Sequence, residues 1–380
     1  MIYLDHAATS WPKPESVYLA MDSFIREKGG NPGRGAHYLA RESVKVIEET
    51  RHLLALLFNA EDKKNIVFTA NVTAALNLAL KGTLKQGDHV LISGMEHNAV
   101  ARPLYALQKQ GVELEIVPCS VGGLIDPDEM ESLFRSNTRM VCVLHASNVC
   151  GSIMPVQEVA KRARKRGILV LVDAAQTAGA YAIDVQTMGI DFLAFTGHKG
   201  LLGPPGTGGL YMAPGIEVEP LVFGGTGSKS YLEEQPHILP ERFESGTLNS
   251  LGLAGLGAGI KYITAYGLDK IRRYEEGLTA KFLQNLVKIP GIKVYGTRDS
   301  ARHAPVVSFN LEGWNTEEAA FYLESVHSIA TRAGLHCAPL AHKVLGTYPH
   351  GTVRVSFGIF NTEEEVQQLL DALVEMSKES

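Results

Sequence analysis

The chain has 380 residues, 45% hydrophobic and 20% charged, which excludes disorder and is long enough for two domains to be expected. Lys plus Arg number 36 against 41 Asp plus Glu, a formal net charge of -5, which argues against nucleic-acid or membrane partners. No apolar stretch reaches the roughly 18 residues of a membrane helix, the opening Met1 to His6 lacks the features of a signal peptide, and four cysteines without a C-x-x-C pair are too few for a disulfide scaffold. The expectation is a soluble cytoplasmic protein with reduced thiols.

Taken in chain order, short apolar runs at 66–68, 89–93, 115–118, 140–144, 168–172 and 192–195 predict strands. They are aliphatic or β-branched and mostly lack strict alternation, as expected of strands covered on both faces. Helical patterns at 73–81, 99–110 and 156–165 lie between them, and this alternation predicts a doubly wound, mostly parallel sheet. Beyond residue 200, Gly203-Pro204-Pro205-Gly206-Thr207-Gly208-Gly209 reads as a turn-rich stretch and 223–240 as a long polar connection. One long helix is predicted from 256 to about 286, ended by Pro290-Gly291. A strand at 306–310, a helix at 316–325, a strand at 352–357 and a helix at 362–376 complete a smaller α+β part. The expected division is an N-terminal segment 1–20 packing with the small domain, a large α/β domain over 21–255 and a small C-terminal α+β domain over 256–380. No internal repeat is evident.

Ligands of open α/β sheets bind at the carboxyl ends of the strands, so the residues just past each predicted strand are informative. The first strand leads into Thr69-Ala70-Asn71-Val72-Thr73 and the second into Glu96-His97-Asn98. Three others lead into His145-Ala146-Ser147-Asn148, Asp173-Ala174-Ala175-Gln176 and Thr196-Gly197-His198-Lys199. A lone Asp there is an ordinary helix cap and a lone Lys an ordinary rim residue, but five such ends deliver three His, an Asp and a Lys to one rim.

That set suits pyridoxal phosphate, which requires a Lys for a Schiff base and an acid against its pyridine nitrogen. It also requires a helix N-terminus for its phosphate. Lys199 fits the first role, Asp173 the second and the turn Asn71-Val72-Thr73 the third. Thr196 and His198 flank the lysine as further phosphate contacts, Gln176 is placed for the phenolic oxygen, and His97 for stacking on the ring. Competing signals are weaker. Gly255-Leu256-Gly257-Ala258-Gly259 does not fit G-x-G-x-x-G, and the stretch from Gly224 to Ser230 lacks the first glycine of a P-loop. His336, Cys337 and His342 lack the ligand pairs of a structural zinc site, so no metal is expected.

Cys337 sits in Arg332-Ala333-Gly334-Leu335-His336-Cys337-Ala338-Pro339, a Gly/Pro-bounded loop with a neighbouring cation that favours thiolate, and is expected to be a nucleophile. Cys119, Cys142 and Cys150 read as structural. Arg354 lies inside the apolar strand Thr352-Val353-Arg354-Val355-Ser356, where a guanidinium demands an anion. That anion is either a substrate α-carboxylate or an internal Asp or Glu. Arg34, in the turn Asn31-Pro32-Gly33-Arg34-Gly35, and Arg332 are candidates for further anion contacts.

The segments Thr196-Gly197-His198-Lys199, Val172-Asp173-Ala174-Ala175-Gln176, Arg242-Phe243-Glu244-Ser245-Gly246-Thr247, Arg332-x-Gly-x-His336-Cys337 and the opening Tyr3-Leu4-Asp5-His6-Ala7-Ala8-Thr9 together resemble the cysteine desulfurases. These are pyridoxal-phosphate enzymes of the class V aminotransferase, fold type I group, and the short R-x-G-x-H-C loop is similar to their group II branch, which includes selenocysteine lyases. The sequence departs from that branch in reading Asn71-Val72-Thr73 for Gly-Thr-Thr and Gly-Leu-His-Cys for Gly-His-His-Cys. The resemblance implies a PLP-dependent transferase of fold type I that acts on L-cysteine, or alternatively L-selenocysteine or another amino acid. Lys199 is implied to bind the cofactor and move protons, with Asp173, Gln176, His97, Thr73, Thr196 and His198 in the roles given above. It further implies Asn148 near ring or substrate, Arg354 on the substrate carboxylate and Cys337 as persulfide carrier. Thr247 is implied to reach the phosphate of a neighbouring subunit, hence a homodimer, and the sulfur to pass to an acceptor protein.

Overall fold

The computed structural model describes residues 1–33, 35–227, 231–297, 299 and 302–379. The chain opens with β1 (Ile2–Tyr3), α1 (Glu15–Ser23) and α2 (Tyr38–Leu57), with a π-helical turn at Phe24–Lys28 between the helices. Strand–helix alternation follows: β2 (Ile66–Thr69), α3 (Val72–Thr83), β3 (His89–Ser93), α4 (Asn98–Gln108), β4 (Glu113–Val117), α5 (Pro127–Ser132), β5 (Thr138–Leu144), α6 (Val156–Arg164) and β6 (Leu169–Asp173). After β7 (Phe192–Thr196) and β8 (Gly208–Met212) come α7 (Ser250–Tyr266) and α8 (Leu268–Leu286). The C-terminal part holds β9 (Ile292–Tyr295), β10 (Val306–Leu311), α9 (Thr316–His327), β11 (Ile329–Ala330), β12 (Arg332–Gly334), α10 (Pro339–Val344), β13 (Thr352–Ser356) and α11 (Glu363–Met376).

The expected mostly parallel sheet is present, with seven strands in the order β2-β8-β7-β6-β5-β3-β4. Pairs from β4 to β7 are parallel, and β8 runs antiparallel to both β7 and β2. Successive residues explain why the strands read as unbroken apolar runs. Leu91, Val141, Val143, Val170, Val172, Leu193 and Phe195 enter one core. Val90, Ile92, Met140, Cys142, Leu171, Phe192 and Ala194 enter the core on the opposite face. Both faces are covered, and each such aliphatic side chain contributes about 1.5–3 kcal/mol on burial. A four-stranded antiparallel sheet, β12-β13-β10-β9, carries the smaller C-terminal α+β domain, and β1 pairs in parallel with β11 beside it.

Two sequence expectations change. The single helix over 256–286 is two helices, α7 and α8, broken at Gly267, whose φ of 98° favours glycine. Leu253, Leu256, Ile260 and Ile263 of α7 belong to the large core, whereas Leu278, Phe282 and Leu286 of α8 pack with Val307, Phe309 and Val355 of the small sheet. Ile271 of α8 still joins the large core, so the helix itself links the two cores. The stretch 203–209, expected as turns alone, ends in the first residues of β8. A Cβ on Gly208 would come within 2.8 Å of Asn71 Cα, so the glycine lets this strand back onto the turn that starts α3. Among the described residues, no helix is long and apolar enough to cross a membrane, and no cluster of three or more His, Cys, Asp or Glu could hold a metal.

Candidate active site

The carboxyl ends of β5, β6 and β7 and the starts of α3 and α4 converge on a cleft whose walls include Val72, His97, Asn148, Asp173, Gln176 and Lys199. Each has a local reason to be there. Asp173 ends β6, and its Oδ1 accepts the Ala175 N–H at 2.9 Å. Burial raises its pKa, opposed by that N–H and by the charge of Lys199. His97 caps α4, accepting the Ala99 N–H on Nδ1 at 3.0 Å, so the proton of the neutral ring sits on Nε2. Burial, then the charge of Lys199, pushes its pKa down to about 4. Lys199 stands in the turn after β7. Burial first, and the guanidinium of Arg354 second, lower its pKa to about 8.

At the start of α3, Asn71 accepts from Ala74 with its side chain at 3.0 Å and from Ala75 with its carbonyl. The N–H groups of Val72 and Thr73 are left as the ones without an acceptor inside the helix, next to the positive end of its dipole. Thr73 is exposed and half-buried His198 lies beside Lys199. Thr196, only 2% exposed, turns its hydroxyl to the Thr207 carbonyl at 3.4 Å. Thr247 is exposed and lines a different cleft, with Thr69 and Asn77. Arg34 lies outside the described residues.

The cysteine loop is held differently. Gly334, His336 and Cys337 have φ of 100°, 47° and 57°, so two consecutive side-chain-bearing residues occupy the left-handed region. Each costs on the order of 1 kcal/mol or more unless its surroundings impose it. They do: Asn148 Nδ2 donates to the His336 carbonyl at 2.8 Å, and the Asn98 N–H donates to the Cys337 carbonyl at 2.8 Å. The His336 ring turns inward to Thr352, 3.1 Å from Nε2, and burial drives its pKa well down. Cys337 itself is exposed, whereas Cys142 and Cys150 are buried and Cys119 is partly so. Burial pushes the Cys119 thiol up to about 12 and Cys142 well above its ordinary value, so neither supplies thiolate.

Arg354 meets an internal acid with part of its fork. Its Nη2 donates to Asp5 Oδ1 at 2.8 Å and its Nη1 to the Asn148 carbonyl at 2.9 Å, while Nε is buried without a partner among the described residues. Arg332 turns its fork to the same acid, with Nε at 2.9 Å and Nη2 at 2.8 Å from Asp5 Oδ2. The N-terminal segment carrying Asp5 also binds the other side of the cleft. The Ala7 carbonyl accepts from Gln176 at 3.1 Å, and Ser10 donates to the Lys199 carbonyl at 2.9 Å.

Sequence reasoning missed Asp5, Asn98, Glu96 and Glu244. Glu96 Oε1 accepts from Ser93 at 2.6 Å and from the Leu144 N–H at 2.9 Å, and burial pushes its pKa up to about 8. Glu244 forms a buried two-pronged pair with Arg51 at 2.7 and 2.9 Å and accepts the Phe68 N–H, which pins the segment carrying Thr247. A Glu within Met95-Glu96-His97 and another within Arg242-Phe243-Glu244 were the available signals, but nothing local announces their burial.

Comparison with known proteins gives a consistent result. The chain is 37% identical to a probable cysteine desulfurase of Methanothermobacter thermautotrophicus, over 99% of this chain and 94% of the relative. It is 34% identical to a cysteine desulfurase of Salmonella agona, over 100% and 94%. The apo structure of a cysteine desulfurase from Thermococcus onnurineus NA1 superposes with a TM-score of 0.94 at 37% identity, covering 100% of this chain and 95% of that one. The cysteine desulfurase CsdA (S-sulfonic acid) from Escherichia coli gives 0.89 at 31% identity, over 99% and 94%. Residues 2–369 match the family described as Aminotransferase class-V. With that match spanning nearly the whole chain, the protein belongs to the class-V aminotransferase family.

Proposed function

We propose that this chain is a pyridoxal-phosphate-dependent cysteine desulfurase, which takes sulfur from L-cysteine, leaves L-alanine and carries the sulfur as a persulfide on Cys337. The observation that carries this reading is the tether between the two halves of the chemistry. Asn148 forms part of the wall of the Lys199–Asp173 cleft and at the same time holds the backbone of the loop presenting the exposed thiol.

The residues of the cleft fit the cofactor. A buried acid, a lysine of lowered pKa and a neutral imidazole line one cleft, and a helix start beside them supplies N–H groups for a phosphate. The cofactor, when bound, supplies an electron sink for the substrate's α-carbon. Lys199 would hold it covalently and, once its amine is released by the substrate's, would move a proton at that carbon, helped by the burial that lowers the free amine's pKa to about 8. Asp173 would pair with the pyridine nitrogen, whose charge would offset the effect of burial on the carboxylate. His97 would stack on the ring without adding charge, Gln176 would serve the phenolic oxygen, and the N–H groups of Val72 and Thr73, with Asn71, Thr196 and His198, would take the phosphate. Arg354 offers its unpaired Nε to the substrate carboxylate. The thiolate of Cys337 attacks the substrate sulfur. The S–S bond forms as the Cβ–S bond breaks, and the electron pair stays on the substrate's carbon.

Thr247, exposed and pinned through Glu244 on a surface away from its own cleft, is read as reaching the cleft of a second subunit in a homodimer. The persulfide on the exposed loop is handed to an acceptor protein or a thiol reductant. The test is release of sulfide and alanine from L-cysteine with excess reductant, comparing wild type with Cys337→Ala while recording visible spectra. Wild-type release of both products, with a yellow but inert variant, is the expected result. A yellow wild type that releases neither overturns it.

A further inference from the structure

Asp5, Arg332 and Arg354 form one cluster, in which a single carboxylate meets two guanidiniums. Asp5 is 8% exposed and Arg354 3%, so this charge is largely withdrawn from water, while 49% of the Arg332 side chain remains accessible. The carboxylate is divided unequally. Both oxygens serve the Nε/Nη2 fork of Arg332, at 3.2 and 2.9 Å from Nε and 2.8 Å from Nη2, and only Oδ1 reaches Arg354. Arg332 is therefore matched by a complete two-pronged pair. Arg354 is not: Nη1 goes to a neutral carbonyl, Nη2 shares an oxygen with Arg332, and Nε has no acceptor among the described residues. A buried charged donor without an acceptor is expensive to keep unless a ligand supplies one. Two cations and one anion leave the cluster with a net charge of +1, the complement of one carboxylate.

We propose that Asp5 is a positioning residue that sets the charge of the substrate-carboxylate receptor at +1, neutralising Arg332 so that Arg354 accepts one carboxylate and the site favours monocarboxylate amino acids over dicarboxylates. This rests on the reading of Arg354 as the receptor for the substrate carboxylate. The Asp5 carboxylate pairs with the two arginines and is a determinant of specificity through them. Without it, two facing guanidiniums present a charge of +2, the complement of a dianion.

The test is titration calorimetry of the cofactor-loaded protein with malonate, a dianion, and propionate, a monoanion, alongside the KM and kcat for L-cysteine. Asp5→Asn is expected to bind malonate about tenfold more tightly than wild type or better, since a unit charge close to a partly buried ligand is worth at least that factor. Propionate is expected to change by less than about threefold, and KM for L-cysteine to shift more than kcat. Adding Arg332→Gln to Asp5→Asn restores a net charge of +1, and malonate affinity should return to within about twofold of wild type. A purely structural role predicts the opposite, a double variant more impaired than the single one. Arg332→Gln alone, at a half-exposed position, lowers the net charge to zero and should weaken both ligands about tenfold, which keeps the proposal testable if Asp5→Asn does not fold. Unchanged malonate affinity in Asp5→Asn, or no reversal in the double variant, overturns the proposal. If wild type released no sulfide while the malonate series followed the charge count, the desulfurase reading would fail and this assignment would stand.

Discussion

Asp173, His97 and Lys199 stand at the ends of strands and the start of a helix, in a sheet covered on both faces, whereas Cys337 stands in a short turn with two left-handed residues and its side chain in solvent. In the first region burial does the tuning. It lowers the lysine to about 8 and the imidazole to about 4, and it raises the aspartate. In the second, the thiol is exposed, and hydrogen bonds from the Asn98 N–H and the Asn148 side chain to the loop's carbonyls do the holding. The contrast fits the proposed chemistry. Groups that shift protons at one carbon require a fixed position and a set pKa, while a sulfur carrier must face both the cleft and an external acceptor.

The tether between the regions is where this comparison breaks most easily. Asn148→Ala removes the donor to the His336 carbonyl. Losing one buried hydrogen bond of about 1–3 kcal/mol should cut turnover roughly tenfold to a hundredfold. The rate of Cys337 alkylation by iodoacetamide should change with it, while the cofactor's visible absorbance persists. Unchanged alkylation together with lost absorbance would show that Asn148 serves the cleft alone.

A smaller effect sharpens the buried side of the comparison. Glu96 is pushed by burial from 4.5 to about 8, so between these values the folded chain holds a proton that the unfolded chain has released. Stability from this group is therefore lost as pH rises from about 4.5 to 8. Glu275, likewise pushed to about 8, acts in the same direction. Glu96→Gln cannot titrate, and its urea midpoint should fall less than that of wild type between pH 5 and pH 8. Parallel midpoints would place the Glu96 proton elsewhere. The smallest expected effect lies at the helix break, where Gly267 has a φ of 98°. Gly267→Ala should cost about 1 kcal/mol or slightly more by forcing a side-chain-bearing residue into that region, read as a shift in the same midpoint without loss of turnover.

The large sheet was legible because each strand buries both faces, so its apolar run needs no partner to be recognised. The cleft residues were legible for a related reason. In such a sheet the residues that succeed a strand emerge on one rim, and His97, Asn148, Asp173, Gln176 and Lys199 all do. Gly208 was less legible, since a glycine kept for close packing against Asn71 looks the same as one kept for a turn. The break between α7 and α8 was hidden because the helical apolar pattern runs on through Gly267.

What the sequence by itself determined is therefore the layered α/β architecture and the chemical inventory of the rim, both products of periodicities and spacings within about twenty residues. What only the tertiary structure decided is how the charges are shared. Arg332 and Arg354 lie 327 and 349 positions from the acid that binds them, and Glu244 lies 193 positions from Arg51. Whether an arginine in a strand awaits a ligand or already has an internal partner depends on which distant carboxylate the fold brings within 3 Å, and no local pattern encodes that distance.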